Sequence, residues 1–204
     1  MSEKASTIIP FPKYRYKRKE GSSMKGIALC ALFSRQGDWA FDYALALARH
    51  HNTRLNIFHF LESPYTFSRD VVFVDEKKEE TTKVTPELIV KKEKELRETY
   101  DERLGDYVDV GFRLCEGADE WELKKCFRKG EYDILVIGYE EHGAKFGGTT
   151  TIEDFAFDFK APVVLVGPDF PDTLFLNQGS AERVNDLIIS GKQWKVLGAE
   201  SIKK

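Results

Sequence analysis

The stretch that most constrains the fold runs from residue 133 to residue 168. It contains two short, fully apolar runs, residues 134–137 and Val163–Val166, separated by a glycine-bearing loop and a segment of helical periodicity. Continuous apolar runs are typical of strands in parallel sheets, because helices cover both faces of such sheets, and parallel neighbours need a crossover connection. The stretch therefore predicts a βαβ unit.

The helix of this unit has its own start signal. Residues 150–153 read Thr-Thr-Ile-Glu, which fits a capping box, and Gly147 and Gly148 stand just before it. Apolar residues then recur at positions 152, 155, 156 and 159, the spacing of one helix face. Backbone N–H groups at a glycine turn and helix start can hold an anion such as phosphate. With Lys145 supplying charge, the loop is a candidate anion site.

The chain before this unit alternates between the same two kinds of segment. Strands are predicted at residues 26–33, 55–61 and 107–114, and helices at 39–51, 85–104 and 119–129, with Asp38 as the N-cap of the first helix. Residues 62–83 allow two interpretations, a short strand at 71–74 or a charged lid-like loop. Four βα units closed by a fifth strand predict a three-layer α/β fold around an open, parallel, five-stranded sheet.

Charge, hydropathy and cysteine content argue against several classes of partner and location. The 204 residues carry a net charge of −3, which argues against nucleic acid or an anionic membrane surface as a partner. No apolar run approaches the roughly 20 residues of a membrane span, and the N-terminus lacks the apolar region of a secretion signal. Three unclustered cysteines indicate neither a disulfide framework nor a zinc site. We therefore expect a cytoplasmic protein.

Three regions are predicted along the chain. Residues 1–24 form a flexible basic arm, residues 25–168 the α/β domain, and residues 169–204 a C-terminal extension that docks on the domain or on a partner chain. Within the extension, strands are predicted at 173–176 and 194–197, and Ser180 is predicted to cap a helix at 181–190. Met24 stands directly before the first strand, so a translation start there is an alternative to Met1.

Several pieces of this domain resemble the universal stress protein family over roughly residues 25–168. They are Tyr-Ala-Leu-Ala-Leu-Ala at 43–48, Phe-His-Phe at 58–60, Glu-Gly-Ala at 116–118, Asp-Ile-Leu-Val-Ile-Gly at 133–138 and Ala-Pro-Val-Val-Leu-Val at 161–166. The resemblance implies a Rossmann-like fold of the adenine nucleotide alpha hydrolase type, with strand order 3-2-1-4-5. The alternating pattern of residues 107–114 agrees, because it suits an edge strand. Ligands would then bind at the switch point between the first and fourth strands.

The same strand order places Val163–Val166 at the other edge of the sheet. This run is apolar on both faces, and an apolar edge invites pairing with another chain. Members of the family commonly form homodimers through this strand. The resemblance therefore implies a homodimer through Val163–Val166.

The resemblance also implies an adenine nucleotide, ATP above all, as the ligand. ATP-binding members have an acidic residue at the end of the first strand and a loop G-x2-G-x9-G-[ST] after the fourth. Here Ser34 stands near the first position, and only three residues separate Gly143 from Gly147, so the nine-residue spacing is absent. Glu140 and Glu141 also place negative charge near the phosphates. The candidate binding residues are Ser34, Gly138, Gly143, Lys145, Gly147, Gly148, Thr149 and Thr150.

Three functions stay open. The favoured one is a non-enzymatic regulatory or stress-response protein that acts through binding to a protein partner and has a degenerate nucleotide site. The others are a functional ATP- or AMP-binding member, and an interaction module that uses the arm or the extension. A PP-loop ATP pyrophosphatase is argued against, because residues 34–38 lack the paired glycines and closing serine of that motif. No catalytic residue and no metal ligand set is indicated.

Overall fold

The computed structural model describes residues 24–61, 71–74, 79–116, 120–146 and 150–198. In chain order its elements are β1 Gly26–Cys30, α1 Arg35–His51, β2 Arg54–Leu61, β3 Val71–Phe73, β4 Thr81–Lys83, α2 Pro86–Leu104, β5 Val110–Glu116, α3 Glu120–Arg128, β6 Ile134–Gly138, α4 Ile152–Asp158, β7 Val163–Val166, β8 Thr173–Leu176, α5 Gln178–Ala181 and β9 Gln193–Val196. A short 3-10 helix, Val184–Asp186, lies between α5 and β9.

Seven strands form one sheet in the order β5-β2-β1-β6-β7-β8-β9. The first five of these run parallel to one another. Numbered as the five predicted strands, they have the order 3-2-1-4-5, so the predicted fold class is confirmed, as is the edge position of β5. The strands β3 and β4 form a separate antiparallel hairpin, which confirms the short strand at 71–74.

Helices cover both faces of the sheet, which is why its central strands are apolar on both sides. On one face α1 and α2 enclose a cluster that includes Leu29, Phe41 and Tyr100. On the other face α3 and α4 enclose a second cluster that includes Phe58 and Phe155. Every residue of β1, β6 and β7 is buried. The sheet is thus a rigid platform whose carboxyl edge carries the turns that follow β1 and β6.

The helix α1 begins four residues earlier than predicted. Ser34 is its N-cap, and the Ser34 Oγ accepts a hydrogen bond from the Gly37 N–H at 3.1 Å. The prediction of Asp38 as the cap is therefore wrong. Asp38 lies in the first helical turn, where its carboxylate forms an ion pair with Arg103 of α2. Ser34 satisfies an otherwise unpaired N–H group at the start of the helix, as N-cap side chains do.

Residues 169–198 pack against the same core as the rest of the chain. The strand β8 pairs antiparallel with β7, and β9 continues the sheet in parallel with β8. Leu174, Leu176 and Leu187 are buried in the cluster beneath α1. The prediction that Val163–Val166 is an open edge is therefore wrong, because β8 already occupies that edge. The apolar strand is completed within its own chain.

Asn177 fastens this extension to the sheet. Its side chain is buried, and its Nδ2 donates to three carbonyls, those of Ala156, Phe159 and Ala161, at 2.9–3.1 Å. Its Oδ1 accepts from the Val163 N–H at 2.9 Å and caps α5. The predicted helix at 181–190 with Ser180 as cap is wrong, because Asn177 is the cap and α5 ends at Ala181.

Met24 differs from its predicted place in the N-terminal arm. Met24 is 2% exposed and packs in the core beneath α1, so it belongs to the domain rather than to the predicted arm. Residues 1–23 lie outside the described residues. Of the helices within the described ranges, none offers an apolar stretch long enough to cross a membrane.

Candidate functional site

The candidate site lies at the carboxyl ends of β1 and β6. The chain leaves β1 towards β2 on one side and returns as β6 on the other, so a topological switch point falls between β1 and β6. Open α/β sheets bind their ligands at such a point. Two segments meet there, the turn from β1 into α1 and the loop 139–146 that follows β6.

The turn after β1 packs directly on the end of β6. A Cβ added to Gly138 would lie 2.6 Å from the Gly37 nitrogen and 2.7 Å from the Gln36 carbonyl oxygen. Glycine is required at Gly138 because the two backbones touch there. The Gln36 Nε2 also donates to the Pro168 carbonyl at 3.1 Å. Of the predicted site residues at this point, Ser34 caps α1 and Gly138 allows the close approach of the two backbones.

The loop 139–146 folds back on the start of α4. The Phe146 N–H donates to the Thr150 carbonyl at 2.9 Å, and the Ile152 N–H donates to the Ala144 carbonyl at 2.8 Å. These two bonds flank an antiparallel bridge between Lys145 and Thr151. The loop is therefore a small closed ring of main-chain bonds. Gly143 turns it, with a positive φ of 77° that suits glycine.

Two N–H groups of the first turn of α4 are already hydrogen-bonded. That of Ile152 donates to the Ala144 carbonyl, and that of Asp154 donates to the Thr151 Oγ1 at 3.1 Å. A helix start attracts anions through its unpaired N–H groups, and here the groups of Ile152 and Asp154 are paired within the chain.

Glu153 places a carboxylate inside the loop. Its Oε1 accepts hydrogen bonds from the Tyr139 hydroxyl at 2.6 Å and from the Gly143 N–H at 2.8 Å. His142 contacts the same tyrosine hydroxyl through Nδ1 and lies 3.5 Å from the Glu153 Oε1. The Glu153 Oε2 is buried and has no hydrogen-bond partner among the described residues. The predicted capping box is wrong, because Thr151 is the N-cap and Glu153 reaches the loop instead.

The protonation states follow from these contacts. Burial raises the pKa of Glu153 and is the largest single influence, but hydrogen bonds from Tyr139, Gly143, its own N–H and His142 together lower the pKa below its usual value. Burial raises the pKa of Tyr139, and its bond to the Glu153 carboxylate raises that pKa further. At neutral pH the loop therefore holds an ionised carboxylate bonded to a neutral phenol.

Aromatic rings fill the space beside the loop. The Phe146 ring is partly buried between Phe155 of α4 and Phe60 of β2, with centroids 4.4 Å and 5.9 Å away. Phe175 of β8 packs edge-on against Tyr139 at 5.1 Å and also approaches His142. Phe33, which follows β1, has a largely exposed ring, 54% accessible, that lies against His59. The extension thus supports the loop directly.

The structure places the predicted site residues in different environments. Gly143 and Thr150 bond within the closed loop, and the Lys145 side chain is exposed beside it. Gly147, Gly148 and Thr149 lie outside the described residues. The negative charge predicted from Glu140 and Glu141 is not at the loop centre, because both side chains are exposed.

Sequence reasoning missed the residues at the centre of the loop. Tyr139 directly follows β6, and the sequence pattern places Glu153 in a helix cap. One signal in the sequence points to Tyr139, because this residue continues an apolar strand and carries the only hydroxyl between β6 and Gly143. The contact of Phe175 with the loop has no such signal, because it depends on how the extension docks.

The fold and this loop define an open α/β protein with a mainly parallel sheet, whose switch-point loop bonds back to the helix that follows it. Solved structures of universal stress proteins are similar to it. UspA from Lactobacillus plantarum is 14% identical with a TM-score of 0.47, and the match covers 70% of this chain and 97% of that chain. A universal stress protein in complex with cAMP is 19% identical with a TM-score of 0.47, covering 72% and 100%.

A third similar structure is a universal stress protein family protein from Arabidopsis thaliana with AMP bound. It is 14% identical with a TM-score of 0.44, and the match covers 72% of this chain and 97% of that chain. No family model matches the sequence, and no curated protein matches it. The similar structures carry the family name that the sequence motifs indicated, and at these identities the similarity concerns the fold alone.

Proposed function

We propose that this chain is a universal stress protein-like regulatory protein of the cytoplasm, which acts through binding rather than catalysis and whose adenine-nucleotide site is degenerate. One observation supports this above the others. The Glu153 carboxylate accepts the Gly143 N–H and the Tyr139 hydroxyl, so the loop already holds an anion of its own.

Electrostatics make this carboxylate a barrier to phosphate. Two like unit charges about 4 Å apart repel by about 4 kcal/mol at an effective dielectric constant of about 20. The buried Oε2 of Glu153 has no donor among the described residues to offset that repulsion. The N–H groups of Ile152 and Asp154 in the first turn of α4 are paired within the chain as well. Within the described part of the loop, a phosphate at its centre would therefore meet a like charge and few free N–H donors.

Aromatic packing beside the loop also disfavours nucleotide binding. The Phe146 ring lies against Phe60 and Phe155, so a side chain of the loop itself occupies this part of the crevice. A nucleotide base that stacked there would have to displace Phe146. Losing the buried contacts of an aromatic side chain costs on the order of 3 kcal/mol.

Titration calorimetry with AMP and with Mg-ATP tests the proposal. The expected result for the full chain is no saturable heat up to about 1 mM ligand, which corresponds to less than about 4 kcal/mol of binding energy. Purified protein is also expected to carry no nucleotide absorbance. Micromolar binding of either nucleotide, lost on Gly148→Asp, would overturn the degenerate site.

A functional ATP- or AMP-binding protein is the second candidate. It is favoured by Lys145, whose side chain is exposed beside the start of α4 and forms no ion pair within the described residues. Two of the similar structures hold cAMP or AMP. Under this alternative, Lys145→Glu would abolish the micromolar affinity that the calorimetry would then show.

Action through binding requires a surface for a partner. A homodimer stays a prediction, but β7 cannot supply the edge for it while β8 is paired there. A second copy that adds to this sheet would meet β9 or β5, the two strands at its ends. The partner protein of the regulatory role is expected to bind outside the closed loop.

A further inference from the structure

A cavity of about 450 Å³ lies between the C-terminal ends of α3 and α4. Its lining includes Lys124, Phe127 and Arg128 from α3, and Asp158, Phe159 and Lys160 from the end of α4. Both helices end there just before β6 and β7 begin. The cavity is therefore at the amino edge of the sheet, opposite the switch-point loop, and is separate from the candidate nucleotide site.

The cavity has an excess of positive charge. Among the described lining residues, three side chains are cationic and one, that of Asp158, is a carboxylate, in a chain whose net charge is −3. Arg128 and Lys160 are exposed and form no ion pair or side-chain hydrogen bond with any described residue. Like charges held near one another without counter-charges favour the binding of an anion.

Helix capping does not account for these cations. The carbonyl of Ala156 in α4, and those of Phe159 and Ala161 just after the helix, accept hydrogen bonds from the Asn177 side chain. At the end of α3, the backbone N–H groups of residues 129–131 bond to the carbonyls of residues 125–127. Neither Arg128 nor Lys160 donates a side-chain hydrogen bond to a carbonyl of the described residues.

The floor of the cavity is aromatic and firmly held. Phe127 and Phe159 meet edge to face, with centroids 5.1 Å apart, and Phe127 also contacts Tyr132. Phe159 is buried, whereas Phe127 is only partly buried and presents ring surface to the cavity. Fixed apolar rings beneath a cationic rim match a ligand with a flat apolar body and an anionic head.

We propose that this cavity binds a small organic anion, in which a carboxylate, sulfonate or phosphate is attached to a flat apolar group. Arg128 and Lys160 contact the anionic head, and the apolar group lies on Phe127. The volume falls within the range of about 300–1,000 Å³ typical of small-molecule sites. A cationic ligand would be repelled by the rim, and a neutral one would leave the cations without a partner.

Naphthalene-1-sulfonate is a suitable probe, with the neutral naphthalene-1-methanol as its matched analogue. Titration into the ¹⁵N-labelled full chain is expected to shift the amides of the last turn of α3 and of residues 158–161 in a saturable way. The neutral analogue is expected to bind at least about tenfold more weakly. Absence of saturable shifts, equal affinity of the two probes, or shifts confined to the loop 139–146 would each overturn the proposal.

Charge-reversal variants sharpen the test. Arg128→Glu and Lys160→Glu are each expected to weaken naphthalene-1-sulfonate binding at least about tenfold. Lys91→Glu, which makes the same charge change on the exposed face of α2, is the control and is expected to leave it unchanged. All three positions are exposed, so unchanged spectra elsewhere will show that the fold is kept. Equal effects of the three variants would mean that only net charge matters and would overturn the site.

Discussion

Glu153 lies in the first turn of α4, where the helix dipole favours a carboxylate, yet its side chain turns towards the preceding loop. There it accepts hydrogen bonds from Tyr139 and Gly143. The sequence predicts an acidic residue near this helix start, but not its direction. That direction depends on how the loop 139–146 closes, which is a matter of tertiary packing.

Replacing this carboxylate tests its role in holding the loop. Glu153→Gln keeps the size of the side chain but turns charge-assisted hydrogen bonds into neutral ones, which contribute about 1 kcal/mol less. We expect the free energy of unfolding, measured by urea denaturation at pH 7, to fall by about 1 kcal/mol. The exposed Glu140→Gln is the control, expected to change it by less than about 0.5 kcal/mol. Equal effects of the two variants would contradict the role.

The depressed pKa of Glu153 gives this contribution a pH dependence. A carboxylate with a folded pKa below its unfolded value stabilises the fold above the unfolded pKa, and that stabilisation is lost as pH falls through the folded pKa. The stability difference between the wild type and Glu153→Gln should therefore be full at pH 7 and shrink as the pH falls through the folded pKa. Urea denaturation at a series of acidic pH values measures it, and a difference that grows on acidification would contradict the assignment.

Asn177 holds the C-terminal extension on the sheet through its buried side-chain hydrogen bonds. Asn177→Ala would leave the Val163 N–H and three carbonyls without their buried partner, and each unsatisfied buried group costs about 1–3 kcal/mol. We expect the free energy of unfolding to fall by about 3 kcal/mol or more. Gln178→Ala, at the exposed neighbouring position, should have little effect. A loss below about 1 kcal/mol for Asn177→Ala would contradict its anchoring role.

At the scale of elements, the central sheet could be predicted because its strands carry local signals. Val163–Val166 reads as apolar on both faces, and β5 alternates as an edge strand does. The partner of β7 could not be predicted in the same way. An apolar strand shows only that its edge is covered, and both a second chain and residues 173–176 of this chain satisfy that requirement.

Hydrogen exchange of backbone amides distinguishes pairing of β7 with β8 from pairing of β7 with a second chain. Because β7 lies between β6 and β8, its amides should exchange at the slow rates of the central strands, even in dilute protein. Amides of β9, at the end of the sheet, should exchange faster. Exchange in β7 that speeds up on dilution would show that a second chain, and not β8, covers it.

At the scale of the whole molecule, the extension and the switch-point loop are parts of one structure. Phe175 of β8 packs against Tyr139 and His142, so the strand that closes the sheet edge also supports the closed loop. The fold alone would allow a ligand between β1 and β6, as in any open α/β sheet with a switch point there. In this chain the residues at that point bond to one another, and the organic-anion cavity lies at the opposite edge.

The switch-point loop is proposed to hold its own carboxylate, that of Glu153, in place of a nucleotide phosphate. Titration of Mg-ATP into the ¹⁵N-labelled full chain, observed at the amides of Gly143, Phe146 and Glu153, tests it most directly. We predict no saturable shift of these three amides up to about 1 mM ligand. Saturable shifts of the same amides at micromolar Mg-ATP would contradict the claim.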